Sequence, residues 1–251
     1  MDFIGIIPAR YQSSRFPGKP LALINDKPMI QWVYEASLKV LDEVYIATDD
    51  KRIFDTARNF GANVVMTSPD HTSGTDRCRE AMDSILIGTE INIDVVINIQ
   101  GDEPFIKTEQ IELLKACFDN ESTDIATLVK AIDNKEDIFD ENKPKVVFDK
   151  DKKALLFSRS PIPFVRAKKQ SDWIEYQSFY RHIGIYAYRQ NVLREITALK
   201  PGRLETAESL EQLRWLENGF SIRIEETEYD SIGIDTPQDL QKAQVRFKEF
   251  L

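Results

Sequence analysis

The N-terminal half of the chain alternates short apolar runs with amphipathic stretches. Phe3-Ile4-Gly5-Ile6-Ile7 is rich in β-branched residues and ends at Pro8, the pattern of a buried strand that stops at a loop. Similar runs recur at Val44-Tyr45-Ile46-Ala47, Asn63-Val64-Val65-Met66 and Val95-Val96-Ile97-Asn98-Ile99. Between them, apolar positions fall three and four apart: Met29 to Val40 behind Pro28, Ile53-Ala57-Phe60 closed by Gly61, and Cys78-Ala81-Met82-Ile85-Leu86. Alternating strands and helices predict a mainly parallel sheet covered by helices on both faces.

Past residue 120 the alternation loosens. Ile125 to Ile132 reads as a strand, and Lys145-Val146-Val147-Phe148 and Ala154-Leu155-Leu156-Phe157 flank a polar turn, Asp149 to Lys153, as the arms of a hairpin. Pro161 to Ser178 reads as a long surface excursion, and Ile183 to Tyr188 as a return to strand. A helix is expected over Thr206 to Glu217, stopped by Gly219, with a strand over Phe220 to Ile224. Gly233-Ile234-Asp235 is expected to end another strand, and Thr236-Pro237 to open a terminal helix with a hydroxyl at the cap and proline at the first helical position. The pattern fits one α/β domain with an inserted smaller subregion.

Composition narrows the class. In 251 residues, 42% hydrophobic and 30% charged side chains exclude a disordered or fibrous chain. No apolar run approaches the about 18 residues of a membrane span, and no basic-then-apolar leader precedes the first strand, so a cytoplasmic location without membrane attachment is expected. Cys78 and Cys117 fall on apolar sides of helical patterns and read as reduced core thiols. Beside only His71 and His182, they make no structural zinc set. The net charge is −9, yet residues 3–25 hold Arg10, Arg15 and Lys19 and no acid. A local cationic loop in an acidic chain suits a small anionic ligand and argues against a nucleic-acid partner.

Ligands of open parallel sheets bind beyond the carboxyl ends of strands, which directs attention to the loop Pro8-Ala9-Arg10-Tyr11-Gln12-Ser13-Ser14-Arg15-Phe16-Pro17-Gly18-Lys19-Pro20. Three cations, a glycine for close backbone approach and rigidifying prolines suit a polyphosphate. The loop is no Walker A motif, because Gly18-Lys19 is followed by Pro20, and no G-x-G-x-x-G occurs. The run Gln100-Gly101-Asp102-Glu103-Pro104 places carboxylates at another strand end, and Asp102 is a natural ligand for Mg²⁺ shared with phosphate oxygens. Asp235 could bring a second carboxylate; alone it reads equally as a turn residue.

Taken in order along the chain, Ile6 to Arg10, Ser13 to Lys19, Asp70-His71-Thr72-Ser73-Gly74-Thr75-Asp76-Arg77, Asn98 to Pro104, Ser158-Arg159, Arg181 to Tyr186, Leu210-Glu211-Gln212-Leu213-Arg214 and Gly233 to Pro237 resemble the 3-deoxy-manno-octulosonate cytidylyltransferase (CMP-Kdo synthetase) family. The resemblance implies a Rossmann-like nucleotidyltransferase sheet and the conversion of CTP and Kdo into CMP-Kdo and pyrophosphate with Mg²⁺, for lipopolysaccharide synthesis. It implies that Pro8, Ala9, Arg10, Ser13, Arg15 and Lys19 hold the nucleotide and its phosphates, and that Ser73, Gly74 and Arg77 read cytosine. Gln100 is placed between nucleotide and sugar, and Asp102 and Asp235 on the metal. Lys19, Arg10 and Arg15 join the two aspartates as catalytic groups, while Arg159, His182, Tyr186, Glu211 and Gln212 form the sugar-acid pocket with Gln100. A homodimer is implied as well, with Pro161-Ile162-Pro163-Phe164 suggested as part of its contact. A single nucleotidyltransferase domain is expected, its nucleotide part about 1–120 plus 225–251 and its sugar-binding and dimerisation part about 121–224. Asp76 stands where many relatives carry Glu, and the Asp149 to Lys153 turn lacks a glycine common there; neither touches a proposed ligand. A CTP-dependent enzyme for another 2-keto sugar acid, of the sialic acid or amino-Kdo type, is the alternative. A non-catalytic nucleotide-binding domain is disfavoured by the presence of Lys19 and both aspartates.

Overall fold

The first apolar run forms β1 (Phe3–Ala9), in which Ile4, Ile6 and Ile7 are wholly or almost wholly buried. The computed structural model describes the backbone of residues 1–230 and 232–249, with side chains to residue 245. It divides into two units, residues 1–112 with 231–251, and residues 113–230. After β1 come a single 3₁₀ turn (Lys19–Leu21), a small hairpin of β2 (Leu23–Ile24) and β3 (Lys27–Pro28), then α1 (Met29–Ser37), β4 (Glu43–Thr48), α2 (Lys51–Asn59), β5 (Asn63–Met66), α3 (Gly74–Gly88), β6 (Val95–Asn98) and α4 (Thr108–Cys117).

Within the first unit β1 is central. It pairs in parallel with β4, from Ile4 opposite Glu43 to Ala9 opposite Thr48, and with β6, from Phe3 opposite Val95 to Ile6 opposite Asn98. β5 pairs in parallel with β4, giving the order β6-β1-β4-β5. The continuous apolar sequences of β1 and β6 follow from cover on both faces. α1 ends sooner than its apolar period, the Ser37 hydroxyl bonding back to the Val33 carbonyl at 2.8 Å while Leu38 to Val40 continue as turns.

The second unit contains β7 (Ile125–Ala131), α5 (Lys135–Phe139), β8 (Lys145–Phe148), β9 (Ala154–Ser158), α6 (Trp173–Tyr176), β10 (Tyr180–Arg189), α7 (Gln190–Thr197), α8 (Arg203–Glu208), α9 (Gln212–Glu217) and β11 (Ile222–Glu226). β11 runs parallel to β7, whereas β7–β10, β10–β8 and the expected β8–β9 hairpin are antiparallel. α10 (Pro237–Glu249) belongs to the first unit.

Three expectations are corrected. The helix over Thr206 to Glu217 is two short helices, because Ser209 adopts a left-handed φ of 52° and breaks the turn between α8 and α9. The excursion at 161–178 is pinned by Trp173, which is 2% exposed and packs with Ile132, Ile138 and Phe179. No strand precedes Asp235 among the described residues: Gly233 to Asp235 form a loop whose anchor is the buried Ile234, packed with Ile24, Met29 and Ala243. Burying such a side chain contributes about 1.5–3 kcal/mol, enough to fix the loop without ladder hydrogen bonds.

Candidate active site

Beyond the carboxyl ends of β1 and β6, a cleft of about 300 Å³ is lined by Pro8, Ala9, Arg10, Ser13, Ser14, Arg15, Lys19, Pro20, residues 71–74, Arg77, Gln100, Gly101, Asp102 and Asp235. Every residue expected to hold the nucleotide or metal lies on it.

The loop after β1 is shaped by its own backbone. Gly18 has φ 73° and its N–H donates to the Tyr11 carbonyl at 2.8 Å; a Cβ there would meet the Tyr11 ring at 3.0 Å. The Ser13 hydroxyl accepts from the Phe16 N–H at 3.3 Å. This fold leaves Arg10 exposed and carries Lys19 inward, its side chain only 14% exposed.

Lys19 Nζ lies 2.5 Å from Asp102 Oδ2 and 3.0 Å from Asp235 Oδ1. Arg15, whose side chain is 64% exposed, reaches the other oxygen of Asp235 at 3.1 Å. Burial alone would lower the Lys19 pKa, but the two carboxylates outweigh it and hold the ammonium above its ordinary value. Asp235 is aimed by backbone: the Ile234 N–H donates to the Asp102 carbonyl at 2.9 Å. One step along, Thr236 Oγ1 accepts from the Asp239 N–H at 3.2 Å and Asp239 Oδ2 accepts from the Thr236 N–H at 3.0 Å, a reciprocal cap on α10.

The opposite wall is the N-terminus of α3, where the helix dipole favours negative charge. The Ser73 hydroxyl accepts from the Asp76 N–H at 3.1 Å and caps the helix. A Cβ on Gly74 would meet Pro8 Cγ at 3.3 Å, so this turn packs directly on the end of β1. Arg77 lines the cleft with its guanidinium held by Asp49 at 2.9 Å and Thr67 at 2.5 Å. His71, to which sequence reasoning gave no role, also lines the cleft, and its Nε2 hydrogen-bonds Glu80.

Of the residues expected to hold the sugar acid, Arg159, His182, Tyr186, Glu211 and Gln212 lie in the second unit, while Gln100 lies in the first, on the nucleotide cleft. His182 and Tyr186 on β10 have ring centroids 5.2 Å apart, and Tyr186 meets Trp215 of α9 at 5.2 Å edge-on. The Thr127 hydroxyl, 2.7 Å from the Ile185 carbonyl, donates there and accepts from His182 Nε2 at 2.9 Å, which leaves His182 Nδ1 as an acceptor. Removal from water pushes the His182 pKa down to about 3, so the ring stays neutral. Burial, reinforced by the Glu211 charge, pushes the Tyr186 phenol well above its ordinary value. Among the described residues the buried Tyr186 hydroxyl, Gln212 Nε2 and Trp215 Nε1 have no hydrogen-bond partner. Such groups are costly unless something pairs with them.

Arg159 sits at the break between α8 and α9. Its Nε donates to the Glu208 carbonyl at 2.6 Å, and its other nitrogens to the carbonyls of Glu141 at 2.8 Å and Ser209 at 3.4 Å. These three partners are backbone carbonyls, while the Arg159 backbone N–H donates to the Glu208 carboxylate at 2.8 Å. Trp215, one turn after Glu211, was missed; its helical spacing was the available signal. Both cysteines are buried and form no disulfide among the described residues, and burial pushes the Cys117 thiol up to about 12.

The family model described as Cytidylyltransferase matches residues 4–226. The chain is 57% identical to the 3-deoxy-manno-octulosonate cytidylyltransferase of Parabacteroides distasonis, over 97% of each chain. It is 55% identical to the enzyme of the same name from Phocaeicola vulgatus, over 99% of this chain and 98% of the other. Among solved structures, that of CMP:2-keto-3-deoxy-manno-octonic acid synthetase complexed with CTP superposes with a TM-score of 0.92 at 42% identity over the whole of both chains.

Proposed function

We propose a division of labour among the residues of this chain, from the premise that it belongs to the 3-deoxy-manno-octulosonate cytidylyltransferase family and is a nucleotidyltransferase that activates Kdo with CTP. The first unit holds the nucleotide and the second presents the sugar acid. The observation that carries this is the cleft in which one ammonium, Lys19, is ringed by Asp102 and Asp235 beside a cationic loop.

Asp102 and Asp235 fit Mg²⁺: both already turn an oxygen toward a single cation, and two carboxylates with phosphate oxygens and water make its usual shell. Mg²⁺, when bound, supplies charge neutralisation at the α-phosphate and lowers the pKa of the attacking hydroxyl. Lys19, Arg10 and Arg15 then face the β- and γ-phosphates and stabilise the leaving pyrophosphate. Pro8, Ala9, Ser13, Ser73, Gly74, Arg77 and Gln100 position the nucleoside. In the reaction the anomeric oxygen of Kdo bonds to the α-phosphorus as the bond from that phosphorus to the pyrophosphate oxygen breaks. Catalysis rests on positioning and electrostatics.

For the sugar acid, Arg159 supplies the cation for the carboxylate. His182 Nδ1, the Tyr186 hydroxyl, Glu211 and Gln212 Nε2 take the hydroxyls. The unpaired buried atoms of Tyr186 and Gln212 support a polyhydroxylated occupant. Arg159→Ala and Tyr186→Phe are expected to raise the KM for Kdo, the first by about 10- to 150-fold for a lost charge-assisted pair and the second by about 2- to 10-fold, with the KM for CTP nearly unchanged. Separate KM measurements for the two substrates check this, and an unchanged Kdo KM in Arg159→Ala removes that residue from the pocket.

Kdo activation places the enzyme in lipopolysaccharide synthesis. No helix among the described residues is long and apolar enough to cross a membrane. Two buried thiols outside any disulfide suit a reducing compartment and support the cytoplasm. Exposed Phe164, Leu155 and Tyr176 on the second unit support a homodimer through that unit. Sedimentation equilibrium is expected to give twice the chain mass, with Phe164→Asp shifting the chain toward monomer; a wild-type monomer at working concentration would falsify this.

A further inference from the structure

His71 lines the nucleotide cleft beside Thr72, Ser73 and Arg77, yet has no part in the mechanism above. Its Nε2 hydrogen-bonds Glu80 on α3. Glu80 is itself fixed, both oxygens accepting from the Ser68 N–H at 3.1 and 3.0 Å. Burial opposes ionisation of Glu80, but the Ser68 N–H and His71 outweigh it and hold the carboxyl below its ordinary range. An ionised carboxylate only accepts, so Nε2 carries a ring hydrogen, and in the neutral form of the ring the lone pair is then on Nδ1. Among the described residues Nδ1 has no protein partner.

Near this end of the cleft, Arg77 is a donor only, and the hydroxyls of Thr72 and Ser73 can either donate or accept. An imidazole oriented by Glu80 through Nε2 is therefore the side chain there whose Nδ1 can tell a donor from an acceptor. We propose that His71 Nδ1 is the acceptor that reads the exocyclic amino group of cytosine, and that Glu80 is the positioning residue that fixes the tautomer. The proposal rests on the reading of this cleft as the CTP site and names the side chain that sets its base preference. UTP would bring a carbonyl oxygen against the Nδ1 lone pair, leaving both acceptors unpaired.

The test is the ratio of kcat/KM for CTP to that for UTP, measured by pyrophosphate release in wild type, His71→Phe and Glu80→Gln. His71→Phe keeps a ring without an acceptor and is expected to lower the ratio about tenfold or more, chiefly through loss of CTP use. Glu80→Gln can donate to Nε2 and move the ring hydrogen to Nδ1, so it should lower the ratio in the same direction. Should His71→Phe fail to fold, the wild-type protein still decides. The chain has two histidines, so the ¹⁵N imidazole resonances are readily assigned, and CTP should move the unprotonated His71 Nδ1 signal while UTP leaves it in place. An unchanged ratio, an equal loss with both nucleotides, or a protonated Nδ1 in the CTP complex overturns the proposal. A wild type that does not use CTP overturns the reading of the cleft itself.

Discussion

Asp102→Asn and Asp235→Asn are each expected to lower kcat by about two to three orders of magnitude at saturating CTP, Kdo and Mg²⁺. Asparagine keeps the size of the side chain and removes the charge, so the effect isolates the electrostatic role. On the proposed metal role each substitution would take a negative ligand from Mg²⁺ and leave phosphate charge less well neutralised as it builds in the transition state. The loop itself should survive the change, because the buried Ile234 and the Thr236–Asp239 cap hold it independently of the Asp235 carboxylate. A thermal melt close to that of wild type therefore belongs to the prediction. Chelation of divalent metal should abolish turnover and added Mg²⁺ restore it. Near wild-type kcat in a folded Asp235→Asn would reduce Asp235 to a loop residue whose only role is to pair Arg15 and Lys19.

That pairing is the part of the site that local pattern could not convey. The cations of the first loop and the carboxylate after β6 were legible because strand ends in a parallel sheet share one edge. Their meeting was not, since Lys19 is 83 residues from Asp102 and 216 from Asp235. For Asp235 the residue was identified while its setting was wrong. A strand was expected, and the chain instead fixes the carboxylate by burying the preceding isoleucine and bonding its N–H to the Asp102 carbonyl.

The second unit was less legible for a different reason. A ten-residue strand such as β10 shows its alternation only in part, because its register against β7 shifts between Ile183 and Tyr186. That shift lets His182 and Tyr186 both meet Thr127, directly for the first and by register for the second. Nothing in the local sequence marks Ser209 as left-handed, so one helix was expected where two stand. The break matters to the site because it releases the Glu208 and Ser209 carbonyls that hold Arg159. Orphaned atoms such as Gln212 Nε2 exist only once the tertiary fold has buried them.

Lys19→Ala is expected to lower kcat/KM for CTP by about 10²- to 10³-fold, while the KM for Kdo stays near that of wild type. Lys19 bridges the two aspartates at 2.5 and 3.0 Å, so it occupies the position toward which a divalent cation would be drawn. With nucleotide and metal in place, its ammonium is free to turn to the phosphates; without it, the negative charge that develops on pyrophosphate loses its most buried cation. The same substitution leaves Asp102 and Asp235 facing one another with no ammonium between them, and their mutual repulsion is relieved by a metal ion. Affinity for free Mg²⁺ in the absence of nucleotide should therefore rise in Lys19→Ala even as CTP use falls, an opposition that a merely misfolded variant would not show. Lys19→Arg should not restore activity, because a planar guanidinium cannot occupy the point between two carboxylates that a compact ammonium does. Calorimetric Mg²⁺ titration alongside steady-state kinetics for both substrates checks both signs, and weaker Mg²⁺ binding together with unchanged CTP kinetics would remove Lys19 from the phosphate site.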